Sequence, residues 1–206
     1  FVLDCIASGT IWVDMKACHV DVLISAPQKG WSASPAAGIV MLSGHAKTIM
    51  ADTQSSSFAC DLKKWSEIMG AYENGGHAYH ATMPTDALVT FHETMKEVDV
   101  YGFEKVKAAQ WELGNKVREL LKSNGFKSVA AEGFGAPGVV VSFTKDADMK
   151  TGKKFMNQGL QIAAGVPLKC DEPADFGSFR IGLFGLDKLQ NIDRTVNYLA
   201  DAIEKF

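Results

Sequence analysis

No apolar run in this sequence approaches the roughly 20 residues that a bilayer-spanning helix needs, so there is no candidate for such a span. Positive charge is also in short supply. Lysine and arginine number 21 against 24 aspartates and glutamates, for a formal net charge of −3, and nothing builds the basic surface that nucleic acid or an anionic membrane attracts. The four cysteines (Cys5, Cys18, Cys60, Cys170) are scattered, with no CxxC pair. That pattern argues for free thiols in a reducing compartment over a disulfide framework. We expect the cytoplasm, with an organelle as the alternative. The five histidines lack metal-ligand spacing; His77 and His80, in a glycine-rich turn, read as surface residues. The opening FVLDCIAS contains Asp4 and no basic leader, unlike a signal peptide. Internal repeats and low-complexity segments are missing as well.

What is present is an ordinary globular composition, 47% hydrophobic and 22% charged over 206 residues, enough for one large domain or two small ones. FVLDCIAS and DVLISAPQ read as buried strands ending in small polar residues, the pattern of a parallel sheet covered on both faces. GIVMLS follows as a neighbouring strand. Asp61 to Met69 reads as a short helix, and from Pro84 onward the pattern is helical, with Asp86 at the positive end of the dipole. Tyr101-Gly102 breaks that helix. A second one runs from Phe103 to Lys122, with Val106, Leu113, Val117 and Leu120 on one stripe, and stops at Asn124-Gly125. GVVVSFT is a strand, Thr151 to Ala163 a helix with Phe155, Leu160 and Ile162 partly buried, and FRIGLFG a strand ending in a turn. The last helix carries Ile192, Val196, Leu199 and Ile203 on one face. The long helix divides the chain into residues 1–101, with a parallel α/β sheet, and residues 102–206, a small α+β unit with that helix at its start.

Two residues stand out chemically. Lys29 lies in a tight loop just after a strand, among small neighbours (Ser25, Ala26, Gly30, Ser32, Ala33, Ser34) that leave room for a planar ring. A partly desolvated amine there is a nucleophile for a carbonyl; otherwise it is a strand-end lysine in solvent. Asp4 closes the apolar triplet Phe1-Val2-Leu3, at the strand edge where open α/β sheets bind ligands. A carboxylate buried there needs a cationic partner, such as a protonated pyridine nitrogen; otherwise it caps a helix or turn.

The strand ending in Asp4, followed by Ser25-Ala26-Pro27-Gln28-Lys29, resembles the class V aminotransferases of the alanine– and serine–glyoxylate group, pyridoxal-phosphate enzymes of fold type I. YHATMPTDAL resembles the family's tyrosine-histidine-x-threonine segment. FRIGLFG, followed by the Asn191-Ile192-Asp193-Arg194 helix, resembles the segment bearing its carboxylate-binding arginine. These landmarks come in the family's order along the whole chain.

The resemblance implies the end of the mainly parallel large-domain sheet plus the small α+β carboxyl-terminal domain. It implies that Lys29 forms the Schiff base with pyridoxal 5′-phosphate and shuttles a proton, and that Asp4 keeps the ring nitrogen protonated. Gln28 would bind the cofactor near its ring oxygen or phosphate. Tyr79 and Thr82 would reach the phosphate from the neighbouring subunit of a homodimer, and Arg180 would grip the substrate carboxylate. The implied reaction transfers an amino group from alanine or serine to glyoxylate or pyruvate. The first half of the family's large domain has no counterpart here. We therefore expect a carboxyl-terminal piece of a longer enzyme, active only with that missing amino-terminal segment. Two alternatives stand beside this one. A cysteine desulfurase or related β-lyase would use Cys170 in PLKCDEPADFG, although Gln28 stands where those enzymes carry histidine. A non-catalytic fragment would only complete another chain.

Overall fold

A computed structural model describes residues 1–206, folded around two three-stranded sheets. In the first, β1 (Val2–Asp4) pairs parallel with β2 (Val22–Ser25), and β2 pairs antiparallel with β3 (Ile39–Leu42). This part of the sheet is thus mixed, because the loop between β2 and β3 contains no helix to carry a parallel crossover. Strand β1 and its edge are open: Phe1 is 68% and Val2 59% exposed. The expectation of strands covered on both faces does not hold within this chain. Leu23 is buried with Cys5 and Val20 in a small cluster on one face, and on the other Val22, Ile24, Val40 and Leu42 are only partly covered while Val2 is exposed.

Helix α1 (Gly44–Ala51), which the sequence pattern did not reveal, follows at once, capped by Ser43, whose hydroxyl accepts the Ala46 N–H. Helix α2 (Leu62–Glu73) starts at the Asp61 cap and runs past the expected Met69. Helices α3 (Thr85–Tyr101) and α4 (Phe103–Ser123) meet at Gly102, whose φ of 102° no L-residue adopts comfortably. No helix is long and apolar enough to cross a membrane.

The second sheet has the order β4-β6-β5, from β4 (Val139–Phe143), β5 (Ala163–Ala164) and β6 (Ser178–Gly182), all antiparallel. Between β4 and β5, the expected single helix over 151–163 is replaced by two short ones, α5 (Ala147–Lys150) and α6 (Lys153–Met156). Gly152 at φ 81° separates them, and Gly159 at φ 79° turns the chain back toward the sheet. Phe155 is nevertheless fully buried, with Leu160 and Ile162 packed beside it. The chain ends with α7 (Leu186–Gln190) and α8 (Ile192–Ile203).

The main core belongs to this second half. Val106, Ala109, Leu113, Val117 and Leu121, spaced three or four apart on α4, pack against Val140, Phe179, Ile181, Leu189, Leu199 and Ile203. The i+4 step from Val117 brings Leu121 fully inside and leaves Leu120 at the margin. Gly114 lies in the same stripe, where a Cβ would come within 2.6 Å of the Pro137 backbone. Alanine normally stabilises a helix interior relative to glycine. Here we expect Gly114→Ala to destabilise the protein by about 1–3 kcal/mol in urea unfolding, because α4 and the Pro137 segment must part.

Candidate functional site

The parallel pairing of β1 and β2, with Asp4 opposite Ile24, delivers both strands to one carboxyl edge. Asp4 ends β1 there, exposed, with Oδ1 accepting the Ile6 N–H at 2.9 Å. It makes no ion pair with any protein cation. Its exposure means that burial does not force a cationic partner on it within this chain.

Lys29 comes just past the end of β2, in a turn closed by Ala33 N–H to Pro27 O and Ser32 N–H to Lys29 O. Pro27 is buried, Lys29 is half-buried and Gln28 points outward. The turn is pressed against the loop after β1 so closely that a Cβ on Gly30 would fall well inside van der Waals contact distance of the Gly9 carbonyl oxygen. Glycine at position 30 is therefore a steric requirement of the lysine turn. Trp31 anchors the turn from behind. It is 7% exposed, packed 4.9 Å from Trp12 and edge-on to Phe91 and Phe103. Its role is core packing. The Lys29 ammonium makes no ion pair and stands 5.4 Å from the centroid of the Phe184 ring.

The two halves of the chain are fastened together around this edge. The Thr10 hydroxyl donates to Val106 O at 3.2 Å, and the Trp12 indole N–H donates to Phe103 O at 3.1 Å. The Ser32 hydroxyl oxygen accepts the Leu186 N–H at 2.7 Å, with Ser32 itself at φ 62°. Gln110, fully buried, donates to Pro137 O and Leu183 O, while its Oε1 faces Gly9 without a partner. The sequence marked neither Gln110 nor Phe184. A polar residue inside the apolar stripe of α4 was the available signal for the first; only its place between two glycine-rich turns hinted at the second.

Arg180 sits on β6, the central strand of the second sheet, opposite Val141 and Ala163. Its Nε donates to Ala164 O at 2.8 Å, which orients the guanidinium from one side, and no carboxylate pairs with it. Tyr79 and Thr82 share a hydrogen bond of 3.1 Å, and Tyr79 is 70% exposed. No hydrogen bond joins this pair to Asp4 or Lys29, so within one chain they form a separate outward-facing hydroxyl cluster. His80 is not a free surface side chain: its ring stacks 4.1 Å from Phe58 and lies edge-on to Trp65. Exposed Cys170 lies in a loop shaped by Glu172, whose carboxylate accepts the N–H groups of Lys169 and Cys170. Those backbone donors, Lys169 first, hold the Glu172 pKa down at about 2.

No protein-family model and no curated protein matches this chain. Solved structures do. Alanine–glyoxylate aminotransferase from Nostoc sp. superposes with a TM-score of 0.80 at 18% identity, over 98% of this chain and 53% of its own. The subgroup IV aspartate aminotransferase from Thermus thermophilus gives 0.77 at 20% identity, over 99% of this chain and 55% of its own. Ureidoglycine–glyoxylate aminotransferase from Bacillus subtilis gives 0.79 at 17% identity, over 100% and 51%. The fold is that of the fold-type I aminotransferases. This chain spans about half the length of the structures it matches, as expected of a carboxyl-terminal portion of the fold-type I architecture.

The Gly9–Gly30 contact makes a local prediction. Gly30→Ala should force the lysine turn away from the loop after β1. Amide hydrogen exchange at Ser32 and Ala33 should then quicken by about tenfold or more while the α4 core keeps its protection.

Proposed function

We propose that this chain carries the lysine, the ring-nitrogen carboxylate and the carboxylate-binding arginine of a pyridoxal-phosphate-dependent aminotransferase. The observation that carries the reading is the parallel β1–β2 pairing. It sends Asp4, at the end of β1, and the Lys29 turn, just past the end of β2, toward one edge of the sheet, each free of a protein ion-pair partner. The residues present fit such a cofactor: the chain supplies an amine and a carboxylate without ion-pair partners, and the Gly9–Gly30 contact keeps side chains out from between the two turns. When bound, pyridoxal phosphate draws electron density from a substrate's α-carbon and carries its amino group.

Within that site Lys29 Nζ would hold the cofactor and would take and return the proton at a substrate's α-carbon. Asp4 would hold the cofactor at its ring nitrogen and favour the protonated form there. Gln28 adds a neutral hydrogen bond near the ring oxygen or phosphate. The Tyr79 and Thr82 hydroxyls, already within 3.1 Å of one another, would hold the cofactor's phosphate in the second subunit of a homodimer. Arg180 grips the carboxylate of a small amino or oxo acid with its unoccupied Nη groups. Alanine as donor and glyoxylate as acceptor agree with the name of the alanine–glyoxylate aminotransferase that shares the fold, and pyruvate with that of a pyridoxamine–pyruvate aminotransferase; serine is the alternative donor of the proposal. The open β1 edge and the half-length match support the further proposal that turnover needs the amino-terminal half of the fold.

Incubation with pyridoxal phosphate followed by borohydride reduction and peptide mass mapping tests the central assignment. We expect the pyridoxyl mass on Lys29 and its loss in Lys29→Ala. Label spread evenly over the exposed lysines would contradict the assignment.

A further inference from the structure

The geometry points to Phe184 as the seat of the Lys29 ammonium, a positioning residue outside the set named above. This inference rests on the proposed function, in which Lys29 is the cofactor-binding amine. The Lys29 Nζ stands 5.4 Å from the Phe184 ring centroid, within the range where a ring face attracts a cation. The ring is itself held from other sides. A Cβ on Gly138 would lie 2.9 Å from Phe184 Cε1, and one on Gly9 would lie 3.2 Å from the same atom. The ring therefore occupies space that only glycine at both positions leaves open.

Phe184 also lies on the segment that connects β6 to α7, four residues beyond Arg180 and two before Leu186, whose N–H is latched to Ser32 at 2.7 Å. One short segment thus bears the proposed carboxylate-binding arginine, touches the lysine through a ring face, and clasps the lysine turn through Ser32. The amine and the guanidinium act on the same small substrate, so fixing both to one segment fixes their separation. A lysine without such a seat would sweep through several rotamers of its long stem. Attraction to a neutral ring holds the ammonium without an aspartate or glutamate that would compete for it.

Ring currents report this contact directly. Lysines reductively dimethylated with ¹³C-formaldehyde give one methyl resonance each, and methyls above an aromatic face are displaced upfield. In the wild-type chain we expect the Lys29 methyls, assigned by their loss in Lys29→Arg, to be displaced from the resonances of exposed lysines. Phe184→Leu should return them to that position, and Phe184→Tyr should keep the displacement. Gly138→Ala leaves the ring in the sequence but pushes it, and should shrink the displacement, which provides the test if Phe184→Leu fails to fold. Wild-type Lys29 methyls coincident with exposed lysines, or unmoved in both Phe184→Leu and Gly138→Ala, would overturn the proposal. Borohydride trapping on the unmethylated protein separates the two claims. Displaced methyls with no pyridoxyl on Lys29 would sink the cofactor reading and leave the seat standing.

Discussion

The backbone contact between Gly9 and Gly30 is the constraint on which the site depends. Parallel pairing sends β1 and β2 out of the sheet in the same direction, and each chain must then turn away. If the two turns diverged, nothing would hold the Lys29 turn against the loop after β1. They do not diverge, because residue 30 carries no side chain and the Gly9 carbonyl fills the place a Cβ would take. Trp31 reinforces this by burying its indole against Trp12 and Phe103, so that the Lys29 turn has a packed base.

The buried apolar side chains are divided unevenly between the two halves of the chain. The large core is built on α4 and the second sheet, while the sheet that bears Asp4 and Lys29 holds a cluster of only three buried residues. The site-bearing sheet therefore gains order by docking on the better-packed half. Thr10, Trp12 and Ser32 supply hydrogen bonds for that docking, and Gln110 fastens Pro137 and Leu183 beneath it. The orphaned Gln110 Oε1 is the cost of placing an amide in an apolar stripe. What is obtained is a single side chain that holds two backbone segments at the base of the Phe184 ring.

Much of this was legible in the sequence, and the failures have physical causes. The apolar spacing on α4 and α8 marks their buried faces, because a helix of that period can hide only one stripe. The break at Gly102 and the strands β4 and β6 followed from equally local signals. The region 151–163 misled because Phe155, Leu160 and Ile162 are spaced as on a helix, yet Gly152 and Gly159 adopt left-handed conformations that split it. Helix α1 was hidden by its short, weakly amphipathic sequence, and β5 by being two alanines. At the site, the order of motifs identified Asp4, Lys29 and Arg180 as candidates. Gln110, Ser32 and Phe184 were invisible because their importance lies in contacts made across the fold: Ser32 with Leu186, Gln110 with Gly9, and Phe184 with Lys29.

The central claim is that one heterocycle spans the carboxylate of Asp4 and the amine of Lys29. The most direct measurement is the ¹⁵N resonance of the pyridine nitrogen in labelled pyridoxyl trapped on Lys29 at neutral pH. The account predicts a protonated nitrogen in the wild-type chain and an unprotonated one in Asp4→Ala. An identical resonance in the two proteins would contradict it.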